Sequence, residues 1–213
     1  MNLESSRAAY ASGAELNEST ALHNPIEQLR EWLELAYATP SIQEANAMCV
    51  ATAQSDGTVS ARMVLLRGLD ERGLVFFTSY GSRKGRQIAE NPRAAVTFYW
   101  PPIHRQVRVE GAVSQLPEDE SDAYFATRPR GHQLSAWASE QGEPVEGREV
   151  LDERLVHFSE RFDGEEVPRP HSWGGYLIAP DRFEFWQGRE NRMHDRLEYI
   201  REGREWKVAR LQP

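Results

Sequence analysis

The stretch Ala47–Gly68, "AMCVATAQSDGTVSARMVLLRG", decides the fold. Two apolar runs, "AMCVATAQ" and "TVSARMVLLRG", flank Ser55-Asp56-Gly57, a turn composition, so the pair reads as an antiparallel hairpin. The period before it is different. In "NPIEQLREWLELA", Ile26, Leu29, Leu33 and Ala36 share one helical face, Asn24 can cap, Pro25 suits the first helical position and Glu27 stands at N3. Residues 1–23, earlier still, are polar and weakly patterned, and read as a mobile arm in which Arg7 and Tyr10 stand out. On the C-terminal side, "LVFFTS" follows a turn at Asp70 to Gly73, "SRKGRQIAENP" is a short helix capped by Ser82, and "AAVTFYW" is a strand. "RQVRVEGAVSQ" alternates, with Val107, Val109, Gly111 and Val113 on one face. About 117–162 reads as a helical insertion in two or three pieces, broken at Arg128-Pro129 and between Gly142 and Gly147. "GGYLIAP", "RFEFWQG", "DRLEYIRE" and "WKVARL" then read as strands.

The fold class is therefore mainly β with added helices, with about seven or eight strands in one domain over 24–213. There is no βαβ alternation and no GxGxxG, which argues against a dinucleotide-binding sheet. A small closed barrel fits, since closure removes exposed strand edges.

The chain has 213 residues, 33 acidic against 25 basic, and a net charge of -8. That balance argues against a general nucleic-acid binder. No apolar run approaches the roughly 20 residues of a membrane-spanning helix, and the N-terminus lacks a secretory pattern. The single cysteine, Cys49, forms no intrachain disulfide, and six scattered histidines give no zinc spacing, so neither a metal nor a secreted scaffold is expected. The chain reads as cytoplasmic.

Positive charge is local. Arg62 and Arg67 stand at either end of an apolar strand. "TSYGSRKG" sets Thr78, Ser79, Ser82, Arg83 and Lys84 at a strand-to-helix turn, where free amides favour a phosphate. Cations there oppose the helix dipole, so a solvated first turn is the weaker reading. Gln106 and Arg108 either face water or serve a site; Tyr124, Arg128, Arg130 and His132 surround a proline break that also suits a polar helix corner. Trp186 is either core or a stacking surface, and "WQGRENRMHDR" adds Arg189, Arg192, His194 and Arg196. Together these suggest two anionic groups and a flat ring. No GxSxG or P-loop offers a hydrolytic alternative.

In this order, "RMVLLRG", "SRKGRQIAENPRAA", "RQVRVEG", "YFATRPRGHQLSAWAS", "WGGY", "FEFWQGRENRMHDR" and "WKVARLQP" closely resemble the pyridoxamine 5'-phosphate oxidase family, over almost the whole chain. The resemblance implies an FMN-binding split β-barrel and a homodimer with FMN at the interface. It implies oxidation of pyridoxine 5'-phosphate or pyridoxamine 5'-phosphate to pyridoxal 5'-phosphate, with oxygen reduced to hydrogen peroxide and ammonia released from the amine. FMN contacts then fall on Arg62, Met63, Val64, Leu65, Leu66 and Arg67, on Phe77, Thr78, Arg83, Lys84 and Gln106, and, from the partner subunit, on Gln141, Gly142, Trp186 and Arg196. Substrate contacts fall on Arg67, Tyr124, Arg128 and His132 at the phosphate, on Arg192 and His194 over the ring as the catalytic pair, and on Arg7 and Tyr10 in the arm. Three positions depart from the usual family pattern: Arg67 for lysine, His132 for serine and Gly142 for serine. Rival readings are a phenazine-pathway flavin oxidase and a flavin- or heme-binding barrel without turnover. The substrate-side arginines argue against the second.

Overall fold

A computed structural model describes residues 15–213; Arg7 and Tyr10 lie outside them. Helix α1 (Pro25–Ala38) begins where the sequence places it, and the Asn24 side chain accepts a hydrogen bond from the Ile26 N–H. Strands β1 (Ala47–Ala53) and β2 (Val59–Leu65) form the hairpin. β3 (Gly68–Asp70) and β4 (Gly73–Ser79) follow, then α2 (Arg83–Glu90), β5 (Arg93–Trp100) and β6 (Arg105–Gln115). The insertion holds three helices, α3 (Glu118–Ala126), α4 (Arg130–Ala138) and α5 (Arg148–Arg161). β7 (Trp173–Gln187), β8 (Asp195–Glu202) and β9 (Glu205–Arg210) complete the chain.

The strands form one antiparallel sheet of nine, ordered β2-β1-β5-β6-β7-β4-β3, with β8 and β9 branching from β7. The order does not close on itself, so the barrel is split rather than closed as composition alone suggested. Alternation sorts the faces. Val50, Val96, Val109, Phe183 and Tyr199 are neighbours across five strands, and all are buried. Helix α1 covers this core, with Trp32 edge-on to Phe185 at 5.2 Å. The opposite face of β5 to β8 carries, three residues along, the row Tyr99, Gln106, Trp186 and Arg196.

Three expectations change. The short β3 lies between the hairpin and the Asp70–Gly73 turn and pairs with β4. "GGYLIAP" and "RFEFWQG" are a single strand, β7, which pairs with β4 over Trp173–Ile178 and with β8 over Arg182–Gln187. It passes through Pro180 because the ladder to β6 shifts register between Glu110 and Gly111, so proline removes no needed donor. Of the arm expected over 1–23, residues 15–23 are packed rather than free. Leu16 is buried in the core, and the Tyr199 hydroxyl donates to the Leu22 carbonyl at 2.9 Å. Among the described residues no helix is long and apolar enough to cross a membrane.

Candidate active site

The first half of the site is built at the start of α2. Ser82 caps the helix, accepting from the Gly85 N–H at 3.3 Å and donating to the Ser79 carbonyl at 2.7 Å. That turn carries Lys84 inward. Its ammonium is buried and donates to Thr78 Oγ1 at 3.0 Å, Gln141 Oε1 at 3.0 Å and Ser82 Oγ at 3.3 Å, all neutral acceptors. Burial first, and then the nearby Arg62 charge, pushes the Lys84 pKa down to about 8. Arg62 donates to the Val50 carbonyl at 3.1 Å, to Thr52 Oγ1 at 2.7 Å and to Ser60 Oγ. Gln87 of α2 takes both those hydroxyls on its Oε1 at 2.6 Å, tying the helix to the hairpin. No sequence signal marks Gln87; only packing shows that this helix face turns inward.

The second wall comes from the insertion. A cavity of about 630 Å³ is lined by Met63, Val64, Leu65, Arg67, Phe77, Thr78 and Lys84 on one side, and by Tyr124, Arg128, His132, Gln141 and Trp173 on the other. Eleven of the expected site residues thus meet in one chain. Phe77 stacks on Tyr124 at 3.8 Å. The Arg128 guanidinium lies 4.4 Å over the Trp173 ring, and among the described residues its buried Nη1 has no hydrogen-bond partner. Trp173 was missed because "WGGY" reads equally well as core. Arg130 turns away and donates to the Glu165 and Phe162 carbonyls, a structural role.

Some expected residues stand elsewhere. Leu66 is a core side chain, and its N–H and C=O both pair with Asn46. Gln141, expected from a partner subunit, reaches Thr78 and Lys84 of its own chain because the loop after α4 returns to β4. Gly142 beside it has φ +91°, a backbone conformation that suits glycine better than the usual serine. Gln106 does not line the cavity; it stands beside Trp186, which neighbours Arg196. Arg196 is held by the buried Glu184 carboxylate at 2.9 Å, which also accepts from Arg108 at 2.9 Å. The His194 ring lies 4.6 Å from the Trp186 ring, and its Nδ1 accepts from the Arg189 N–H at 3.1 Å. Burial, then Arg192, lowers the His194 pKa, so near neutrality it is an uncharged imidazole with its proton on Nε2.

The charge pattern separates the two halves. Among the described residues, Arg62, Arg67, Arg83, Lys84 and Arg128 have no carboxylate within ion-pair distance, whereas Arg108, Arg182, Arg189 and Arg196 all do. In a chain of net charge -8, three of these cations, Arg67, Lys84 and Arg128, line the one cavity without a carboxylate partner among the described residues, and they call for anions from outside.

Comparisons with known proteins show the family. A family model for pyridoxamine 5'-phosphate oxidase matches residues 33–160, and one for the pyridoxine 5'-phosphate oxidase C-terminal dimerisation region matches residues 173–213. A pyridoxine/pyridoxamine 5'-phosphate oxidase of Rubrobacter xylanophilus is 58% identical over 200 residues, 94% of this chain and 92% of that protein. The structure of PhzG from Burkholderia lata, in complex with tetrahydrophenazine-1-carboxylic acid, superimposes with a TM-score of 0.88 at 33% identity, covering 94% of this chain and 98% of that one. A pyridoxamine 5'-phosphate oxidase-related, FMN binding protein from Nostoc punctiforme shares the fold, with a TM-score of 0.69 at 19% identity over 88% and 96% of the two chains.

Proposed function

Because the chain belongs to the pyridoxamine 5'-phosphate oxidase family, we propose a role in the family's reaction for each residue gathered above. The reaction is the oxidation of pyridoxine 5'-phosphate or pyridoxamine 5'-phosphate to pyridoxal 5'-phosphate by oxygen, in an FMN-dependent homodimer. Hydrogen peroxide is released, with ammonia from the amine.

The donor set fits FMN. A buried ammonium with only neutral partners, at a helix N-terminus, lacks the charge that a phosphate monoester carries. Thr78, Arg83 and Lys84 hold that phosphate in our reading, with Gln141 orienting Lys84 and Arg62 adding charge behind it. Met63, Val64 and Leu65 offer an edge for the flavin ring. When bound, FMN supplies the two-electron acceptor for the substrate C4' carbon. Arg67, Tyr124, Arg128 and His132 hold the substrate phosphate, and the unpartnered Arg128 Nη1 is the observation that carries this assignment. A buried donor left without a partner is costly, so its retention points to an acceptor that arrives with the substrate.

Gln106, Trp186 and Arg196, with Arg192 and His194, complete the site from the partner subunit. His194 already receives the Arg189 N–H on Nδ1, so it acts as a hydrogen-bond donor through Nε2 rather than as a base. With Arg192 it steadies the oxygen on the substrate ring as charge develops. In our reading Leu66 contributes only shape. With its single cysteine half-buried in β1 and no intrachain disulfide possible, we place the enzyme in the cytoplasm.

The direct test is peroxide release from pyridoxine 5'-phosphate and from pyridoxine lacking the phosphate. The phosphorylated substrate is expected to react with a kcat/KM higher by roughly two orders of magnitude or more, since several charge-assisted contacts are lost without it. Equal rates would remove the substrate phosphate from the cavity.

Lys84 adds a pH signature. Phosphate binding favours the charged ammonium and raises its pKa above the value of about 8 it has without the anion. FMN affinity should therefore be flat between about pH 7 and about pH 8, where the phosphate monoester is already dianionic, and fall by up to about tenfold per pH unit above it, until the pKa of the complex is reached. Titrating the apoprotein with FMN across this range checks it. A slope that persists in Lys84→Met would assign the effect to another group.

A further inference from the structure

The turn that carries Arg192 and His194 is closed at its base by side chains assigned no role so far. Within it Asn191 and Arg192 have φ of 54° and 62°, two successive left-handed residues, neither of them glycine. Such a conformation persists only where its surroundings hold it. The holding groups are Arg189 and Asp195, on either side. Asp195 Oδ2 accepts from Arg189 Nη1 at 3.5 Å and from the Leu16 N–H at 3.3 Å. Its Oδ1 accepts from Arg210 Nη1 at 2.9 Å. Arg210 in turn donates to the Leu16 carbonyl at 2.9 Å and pairs with Glu18 at 2.7 Å. Arg189 also pairs with Glu15 at 3.2 Å, and its backbone N–H is the donor that fixes His194 Nδ1. One carboxylate thus joins three segments far apart in sequence: residues 15–18, the base of the turn, and β9.

We propose that Asp195 is a positioning residue for the oxidation: it staples the base of the 189–195 turn to residues 15–18 and to Arg210, and so keeps Arg192 aimed and His194 in one tautomer. The proposal rests on the assignment of Arg192 and His194 to the substrate ring. A solvated ion pair would contribute little, but Asp195 is largely buried, with 17% of its side chain exposed, and closes a strained turn. Releasing the staple lets the turn relax, and displacement of about 1 Å at a reacting group is enough to lower a rate strongly.

The test uses the FMN-loaded enzyme. In Asp195→Ala, kcat/KM for pyridoxine 5'-phosphate is expected to fall roughly tenfold or more while the FMN dissociation constant stays within about twofold. Nitrogen-15 spectra of the His194 imidazole should show one tautomer, unprotonated at Nδ1, in the parent enzyme and an average of two in the variant. Asp195→Asn keeps an acceptor oxygen and should recover much of the loss. Arg189→Ala, which removes the guanidinium but keeps the N–H, should behave like Asp195→Ala and serves if that variant does not fold. A parent-like imidazole spectrum and kcat/KM in Asp195→Ala would overturn the proposal, as would an equal loss of FMN affinity. If Arg192→Ala itself leaves kcat/KM unchanged, the substrate assignment beneath the proposal fails, and the imidazole spectrum still reports on the staple.

Discussion

Replacing Arg128 by methionine is expected to lower kcat/KM for pyridoxine 5'-phosphate by roughly two to three orders of magnitude while leaving FMN bound. The half-buried side chain lines the cavity with its guanidinium over the Trp173 ring, and among the described residues its buried Nη1 has no hydrogen-bond partner and no carboxylate lies within ion-pair distance. Burial lowers its pKa from the ordinary arginine value, yet a guanidinium stays charged in proteins. It therefore waits, desolvated, for an anion. Methionine keeps much of the packing and removes the orphan donor, so the apoprotein should melt at the same temperature or higher. A variant losing activity and thermal stability together would point to a structural arginine. One losing FMN and substrate affinity equally would show that the cavity binds a single anion.

A large effect on stability is expected at Gly85. A Cβ built there would lie 2.1 Å from the Tyr80 carbonyl oxygen, 2.6 Å from its carbon and 2.9 Å from Tyr80 Cα, all backbone atoms that cannot swing aside. Gly85→Ala must push the first turn of α2 off the Tyr80 backbone. Overpacking of this kind costs about 1–3 kcal/mol, or roughly 2–12 °C in Tm for a chain of this size. Because Ser82 and Lys84 belong to the same turn, FMN affinity should fall with it. Gly81→Ala is the control: its Cβ would meet only Ser79 Oγ at 3.8 Å, and calorimetry should find it close to the parent. Equal melting of both variants would show that the turn is softer than its geometry implies.

The sequence made the strands, the helix caps and the places of anomalous charge legible, because these depend on local spacing. The hairpin at Ser55–Gly57, the Asn24 cap and the three-piece insertion all stand where pattern puts them. Resemblance supplied the roles; it could not supply the grouping within one chain. Gln141 reaches Lys84 within its own chain and Gln106 stands away from the cavity, since which of them faces Lys84 depends on how a loop and a sheet row lie in space. Residues acting through others stayed invisible for the same reason. Gln87 under Arg62, Glu184 under Arg196 and Asp195 at the base of the turn are ordinary polar residues until the chain brings charge to them. Pro180 misled because proline normally ends a strand, and only the register shift beside it lets β7 continue.

That continuity reaches beyond the fold. Thr78 is registered to Gly174 near the start of β7, and Arg196 to Trp186 near its end. Twelve residues of strand separate them, a path of about 40 Å at roughly 3.3 Å per residue. In the proposed dimer, each copy therefore contributes the anion-binding wall to one pocket and the Arg192–His194 turn to the other. Two alleles, one disabled at Arg128 and one at Arg192, would each be silent alone. Expressed together, they would pair into mixed dimers in which both lesions fall on one pocket and the other is intact. In genetic terms, lesions at Arg128 and at Arg192 would complement one another within a single gene.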